Sequence, residues 1–208
     1  MNPKASKHLS SVDRALARVI RKVGPVDLKP PRGVSPYMSL VRAVAYQQLT
    51  GKAANTILGR VLALYPGKKF PDPEDLLKTP NRKLRAAGFS WAKVRAVKDI
   101  AAKTLDGVVP PSRSLVRMGD EEIIERLTAV RGVGKWTVEM LLISTLGRPD
   151  VWPATDYGVR KGIALVYKMK ELPTFKETLE FGERWRPHRS AAAWYLWRAC
   201  DLQAAEGK

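Results

Sequence analysis

The chain has 208 residues, 45% hydrophobic and 27% charged, with 37 Lys and Arg against 20 Asp and Glu, a formal net charge of +17. It is long enough to bury a sizeable core. So strong a basic excess calls for a polyanionic partner, nucleic acid before an anionic membrane surface, and the lone Cys200 excludes an intrachain disulfide, a cysteine-based zinc cluster and a four-cysteine iron–sulfur cluster.

The first residues, MNPKASKHLS, carry charge with no apolar run behind them, unlike a secretory signal. No stretch approaches the ~20 apolar residues of a membrane helix. The expectation is an intracellular, soluble protein. Val12, Leu16, Val19, Ile20 and Val23 recur at helical spacing and predict a helix from Ser10 to Val23. Gly24, Pro25, Pro30, Pro31, Gly33 and Pro36 mark a loop. A helix is expected over 36–49, with Leu40, Val41, Val44 and Ala45 inward. Thr50 caps a further one through Leu64, which Tyr65-Pro66-Gly67 closes. Short helices are expected over 71–78 and 81–87. Ser90 caps a helix from Trp91 to Leu105 with an apolar stripe of Val94, Val97, Ile100 and Ala101. Asp120, Lys135 and Asp156 each open another, and a last helix is expected over 187–202. No period-two strand, internal repeat or flexible linker stands out, so the fold class is all-α.

Charge is uneven along the chain. Residues 1–35 hold eight Lys or Arg against two acids, and residues 81–117 hold nine against two. Both stretches are candidates for contact with a nucleic-acid backbone. Asp120, Glu121, Glu122 and Glu125 cluster where a helix begins, which the helix dipole explains without a function.

Two segments carry the chemistry. LTAVRGVGKWT, Leu127–Thr137, reads as a hairpin between two helices, with Gly132 and Gly134 bracketing an apolar tip, Val133. Glycine permits the positive φ of a tight turn and lets backbone approach a partner closely. Lys135 opens the second helix, whose N-terminal N–H groups form an anion site. A plain helical corner would use the same residues. VWPATDYGVRKG then places Asp156 at the start of a helix, after a proline-containing loop. Asp156 is either a helix cap, a carboxylate for catalysis, or both.

These segments resemble a known family. LTAVRGVGKWT is similar to the helix-hairpin-helix of the HhH-GPD superfamily of base-excision DNA glycosylases, and VWPATDYGVRKG to its Pro/Asp loop. Within it, AYQQLTGKAA (Ala45–Ala54), GFSWAKVRAVKDIA (Gly88–Ala101) and RWRPHRSAAAWYLW (Arg184–Trp197) resemble the AlkA-type 3-methyladenine glycosylases. Arg131 departs from the usual hairpin proline, which alters stiffness but leaves the phosphate-binding backbone. The length leaves no room for the N-terminal β domain of the longest members, so the compact helical form is expected. It comprises two helical subdomains, 37–150 with the hairpin and 1–36 joined to 151–208 with the carboxylate, and a cleft between them.

The resemblance implies roles. Asp156 would stabilise the positive charge that builds on the deoxyribose as an N-glycosidic bond breaks, and orient the attacking water. Lyase members carry a nucleophilic lysine early in the second hairpin helix. Trp136 occupies that position here, and Lys135 lies about 100° around the helix from it. Simple hydrolysis follows. Leu49 matches the wedge that fills the gap left by an extruded base, or is a core leucine at a helix end. Gln47 or Gln48 contacts the opposite strand or satisfies buried backbone. Trp136 and Trp197 match pocket aromatics able to hold a cationic alkylated purine by stacking and cation–π attraction. The alternative is that Trp136, Trp185, Trp194 and Trp197 are all core. Met140 stands where some relatives have tyrosine, and Trp91 is placed at the pocket mouth. Arg131, Gly132, Gly134 and Lys135 would contact DNA with Gln47, Gln48 and Leu49. His8 and His188 give no metal signature. No cofactor is expected beyond a monovalent cation that hairpins of this family often hold by backbone carbonyls. The expected partner is double-stranded DNA with alkylated bases, bound by a monomer away from any membrane. A bifunctional glycosylase/lyase on oxidised bases and a non-enzymatic DNA-binding module are the rival readings.

Overall fold

A computed structural model describes residues 3–206. Among them are thirteen helices and no strand, so the all-α class holds. In chain order these are α1 (Pro3–Val12), α2 (Arg14–Val23), α3 (Pro36–Tyr46), α4 (Gly51–Leu62), α5 (Pro73–Lys78), α6 (Asn81–Ala86), α7 (Trp91–Leu105), α8 (Ser112–Leu115), α9 (Asp120–Thr128), α10 (Lys135–Ser144), α11 (Tyr157–Tyr167), α12 (Phe175–Glu183) and α13 (Arg189–Glu206). No helix among the described residues is long and apolar enough to cross a membrane.

The chain divides into two units, Pro31–Leu141 and Met1–Pro30 with Leu142–Lys208. In the first, α7 is the central helix: α3, α5 and α6 pack against it. Leu40, Val44, Leu76, Leu84, Val94, Val97 and Ile100 are fully enclosed there. Hydroxyl caps set the boundaries. Ser35, Thr50 and Ser90 accept the N–H of Met38, Ala53 and Lys93, which satisfies one orphan donor at the start of α3, α4 and α7.

In the second unit α13 packs against α11 and α2. Leu9, Leu16, Val159, Ile163, Trp185, Ala192 and Leu196 form its core. The Tyr195 hydroxyl fastens α13 to the start of the chain, accepting from the Val26 N–H and donating to the Gly24 carbonyl, both at 2.9 Å. His8 and His188, remote in sequence, meet edge to face with ring centroids 5.1 Å apart.

Four elements differ from the sequence expectation. The single helix over 10–23 is instead α1 and α2, broken at Asp13. Asp13 takes extended backbone, φ −144°, and its Oδ1 accepts the N–H of Ala15 and of Leu16 at 2.9 Å each. Its Oδ2 accepts the Trp185 indole N–H at 3.0 Å and the Tyr167 hydroxyl. A buried carboxylate with four donors outweighs helix continuity, and Val12, assigned to the inward stripe, is exposed. The helix over 36–49 ends at Tyr46, because Gln48 adopts φ 57°. Helices α8 and α12 lay outside the apolar pattern; a capping box of Thr174 and Glu177 marks the start of α12.

Asp13→Ala removes a cap and leaves the Trp185 and Tyr167 donors buried without their acceptor. A loss of about 3 kcal/mol in unfolding free energy is expected. Urea denaturation followed by tryptophan fluorescence checks it; an unchanged midpoint would contradict the role given to Asp13.

Candidate active site and nucleic-acid interface

The hairpin lies in the unit formed by Pro31–Leu141. After α9, the N–H of Val130 bonds the Leu127 carbonyl and that of Val133 bonds the Val130 carbonyl, both at 3.1 Å. Val133 is buried inside the turn, as its place at the tip predicts, while Arg131, Gly132, Gly134, Lys135 and Trp136 face outward. The two glycines do different things. Gly132 has φ 78°, and a Cβ there would lie 2.8 Å from the Ala96 Cβ, so the turn packs against α7 only with glycine. Gly134 has neither a left-handed φ nor any atom within 4 Å of a built Cβ. Its benefit is an open approach to the start of α10. The Arg131 N–H donates to Asp99 Oδ2 at 2.7 Å, which fixes the turn on α7 from the other side.

The Gln47–Leu49 loop is brought to this hairpin. Gln47 Nε2 donates to the Gly132 carbonyl at 3.0 Å. The bond joins the loop to an exposed hairpin carbonyl. Gln48 is exposed and left-handed, a conformation costing roughly 1–2 kcal/mol for a residue with a Cβ. Leu49 is 40% exposed, so it is not the core leucine of the alternative reading. Lys93 Nζ donates to the carbonyls of Ala45 at 2.8 Å and Gln47 at 2.9 Å. Trp136 is 40% and Trp91 48% exposed, and Met140 is half-buried; none is a core residue.

Among the described residues no group of three or more His, Cys, Asp or Glu is clustered to hold a metal. A monovalent cation would fall to turn carbonyls. Those of Val130 and Gly132 each accept one hydrogen bond and keep a second lone pair.

Asp156 lies in the other unit. Trp152, buried and edge to face with Trp185 at 5.1 Å, anchors the loop before it, its indole donating to the Thr178 carbonyl at 2.8 Å. The Asp156 N–H then closes back on the Pro153 carbonyl at 2.9 Å. Asp156 caps α11, Oδ1 accepting the Val159 N–H at 2.7 Å, and the same oxygen accepts the Trp197 indole N–H at 2.8 Å. Two donors on one oxygen fix the carboxylate plane.

This pairing depends on small residues. Gly158 and Gly162 lie four apart on one face of α11, against α13. A Cβ on Gly158 would stand 2.8 Å from Trp197 Cδ1 and 3.1 Å from Asp156 Oδ1; one on Gly162 would stand 2.5 Å from the Leu196 carbonyl oxygen. Only hydrogen at both positions lets α13 come close enough for Trp197 to reach Asp156. Sequence reasoning missed Gly158, Gly162 and Lys93. The glycine spacing was a visible signal, whereas Lys93 acts on carbonyls 46 and 48 residues away. Of the remaining tryptophans, Trp185 is wholly core and Trp194 half-buried.

Residues 41–187 match the HhH-GPD superfamily base excision DNA repair protein family. The chain is 42% identical to DNA-3-methyladenine glycosylase 1 of Schizosaccharomyces pombe over 202 residues, 96% of this chain and 88% of that protein. The solved structure of that organism's 3-methyladenine DNA glycosylase in complex with abasic DNA aligns with a TM-score of 0.86 at 42% identity, covering 94% of this chain and 95% of that one. DNA-3-methyladenine glycosidase from Bacillus halodurans aligns with a TM-score of 0.82 at 32% identity, covering 97% and 91%.

Substituting the two glycines should separate a movable neighbour from a fixed one. Gly158→Ala meets a side chain and is expected to cost about 1–3 kcal/mol; Gly162→Ala meets backbone and is expected to cost more. Urea midpoints measure both. Equal midpoints for both variants and the wild type would contradict the close packing of α11 on α13.

Proposed function

The chain belongs to the HhH-GPD superfamily of base excision DNA repair proteins, and from that premise we propose that it is a monofunctional DNA glycosylase for alkylated purines of the 3-methyladenine and 7-methylguanine type. It acts on double-stranded DNA inside the cell, as a monomer, and leaves an abasic site. The observation that carries this reading is the doubly held carboxylate of Asp156 at the start of α11.

Alkylation at a ring nitrogen leaves the purine cationic, so the bond to C1′ is already weakened. When it breaks, the bonding electron pair goes to the base, which leaves neutral, and the sugar takes up positive charge. A carboxylate fixed in advance stabilises that charge without reorganising. Water adds to C1′ and its proton passes to Asp156 or to solvent. Trp136 stands where a lyase would carry its lysine, so water is the nucleophile and no Schiff base forms.

The hairpin of Arg131, Gly132, Gly134 and Lys135 grips backbone phosphate with α10 N–H groups and lysine charge. Leu49 fills the space of the extruded base, while Gln48 faces the strand beside it. Trp136 and Trp91 in one unit and Trp197 in the other present aromatic faces suited to a cationic base, and Met140 an apolar one.

Methylated duplex DNA is incubated with the wild type and with Asp156→Asn. Released bases are measured, and strand breaks before and after alkali. The wild type is expected to release 3-methyladenine with breaks only after alkali, and Asp156→Asn to lose about 10²-fold or more in rate. Breaks without alkali would overturn simple hydrolysis, and absence of base release by the wild type would overturn the activity itself.

A further inference from the structure

Lys93 takes no part in the reaction derived above, yet it holds the loop that carries Leu49. Where α3 ends, each carbonyl finds a donor. Those of Ala43 and Val44 accept the Gln47 N–H, and that of Tyr46 accepts the Leu49 N–H. Those of Ala45 and Gln47 accept from Lys93 Nζ, at 2.8 and 2.9 Å. Lys93 sits in the first turn of α7, and its own N–H is held by the Ser90 cap at 3.2 Å. Its ammonium therefore reaches the loop from a fixed base. On the opposite side the Gln47 amide ties the loop to the hairpin carbonyl of Gly132 at 3.0 Å.

Between these two holds sits Gln48, left-handed at φ 57°. A strained residue persists only where its surroundings impose it. Partial burial pushes the Lys93 pKa below the ordinary lysine value. The partly buried charge meets two carbonyls at the C-terminal end of a helix, where the dipole favours a cation.

We propose that Lys93 is a positioning residue for base extrusion: its two hydrogen bonds to the Ala45 and Gln47 carbonyls hold the Gln47–Leu49 loop so that Leu49 enters the duplex on a rigid support. This rests on the reading of Leu49 as the wedge. The loop is gripped from α7 through Lys93 and from the hairpin through Gln47, so the element that binds phosphate and the one that enters the stack move as one. The consequence is specific. Loss of Lys93 impairs removal of a base that must be unstacked and unpaired, and spares a base that is already unpaired, because the extrusion cost falls when pairing is absent.

Single-turnover excision is measured on duplexes carrying one 7-methylguanine, either paired with cytosine or opposite a tetrahydrofuran abasic analogue. Leu49→Ala and Lys93→Met are each expected to lose about tenfold or more on the paired lesion and a far smaller factor on the unpaired one. Lys93→Arg, which keeps donors and charge, is expected to recover most of the paired rate. If Leu49→Ala shows this pattern and Lys93→Met loses equally on both duplexes or on neither, the proposal is overturned and the wedge stands. If Leu49→Ala itself shows no difference between the duplexes, the wedge reading falls and Lys93 falls with it. Should Lys93→Met melt below the assay temperature, Lys93→Gln, with a neutral amide donor, is measured against the same criteria.

Discussion

The site depends on one oxygen. Asp156 Oδ1 accepts both the Val159 N–H that begins α11 and the Trp197 indole N–H from α13. The first bond is local and comes with any good helix cap. The second requires α13 to lie close enough for an indole to reach across, and Gly158 and Gly162 make that approach sterically possible. The core around Leu196, Ile163 and Val159 and the Tyr195 hydroxyl hold the approach in place. A carboxylate fixed in this way can meet developing positive charge without the reorganisation that a mobile one would need. Trp197 therefore orients the acid through its indole N–H.

The same logic recurs in the other unit with backbone as the object held. The end of α3 leaves carbonyls that must find donors, and Lys93 and the Gln47 N–H meet that need while forcing the chain into a loop. The hairpin is fixed by Asp99 on the Arg131 N–H and by the fit of Gly132 against Ala96. In both units polar groups at helix ends, rather than the apolar core, set the positions on which the chemistry relies. The core supplies the stiffness.

Much of this was legible in the chain. Thr50 and Ser90 are short hydroxyl residues ahead of apolar periodicity, and the two helices they cap start where that pattern places them. Val133 between two glycines reads as an inward tip and is one. Asp156 reads both as a cap and as a catalytic carboxylate; the cap is present, and family membership gives weight to the second role. What escaped depends on contacts between remote residues. The break at Asp13 needs Tyr167 and Trp185, 154 and 172 residues away, to outcompete a continuous helix. Trp197 lies 41 residues from Asp156, and no local pattern separates a pocket aromatic from one that also donates to the acid. The bond from Gln47 to the Gly132 carbonyl, 85 residues on, has no local signal either.

The central claim is that Asp156 acts as a carboxylate oriented by Trp197, so the two residues form one functional group. A double-mutant cycle on single-turnover base release tests it most directly, with Trp197→Phe, Asp156→Asn and the double variant on one methylated duplex. Groups that act as a unit give strongly non-additive losses. The account predicts that the double variant is about as slow as Asp156→Asn alone. Losses that multiply, with Trp197→Phe slowing the enzyme by the same factor whether or not Asp156 is intact, would contradict it.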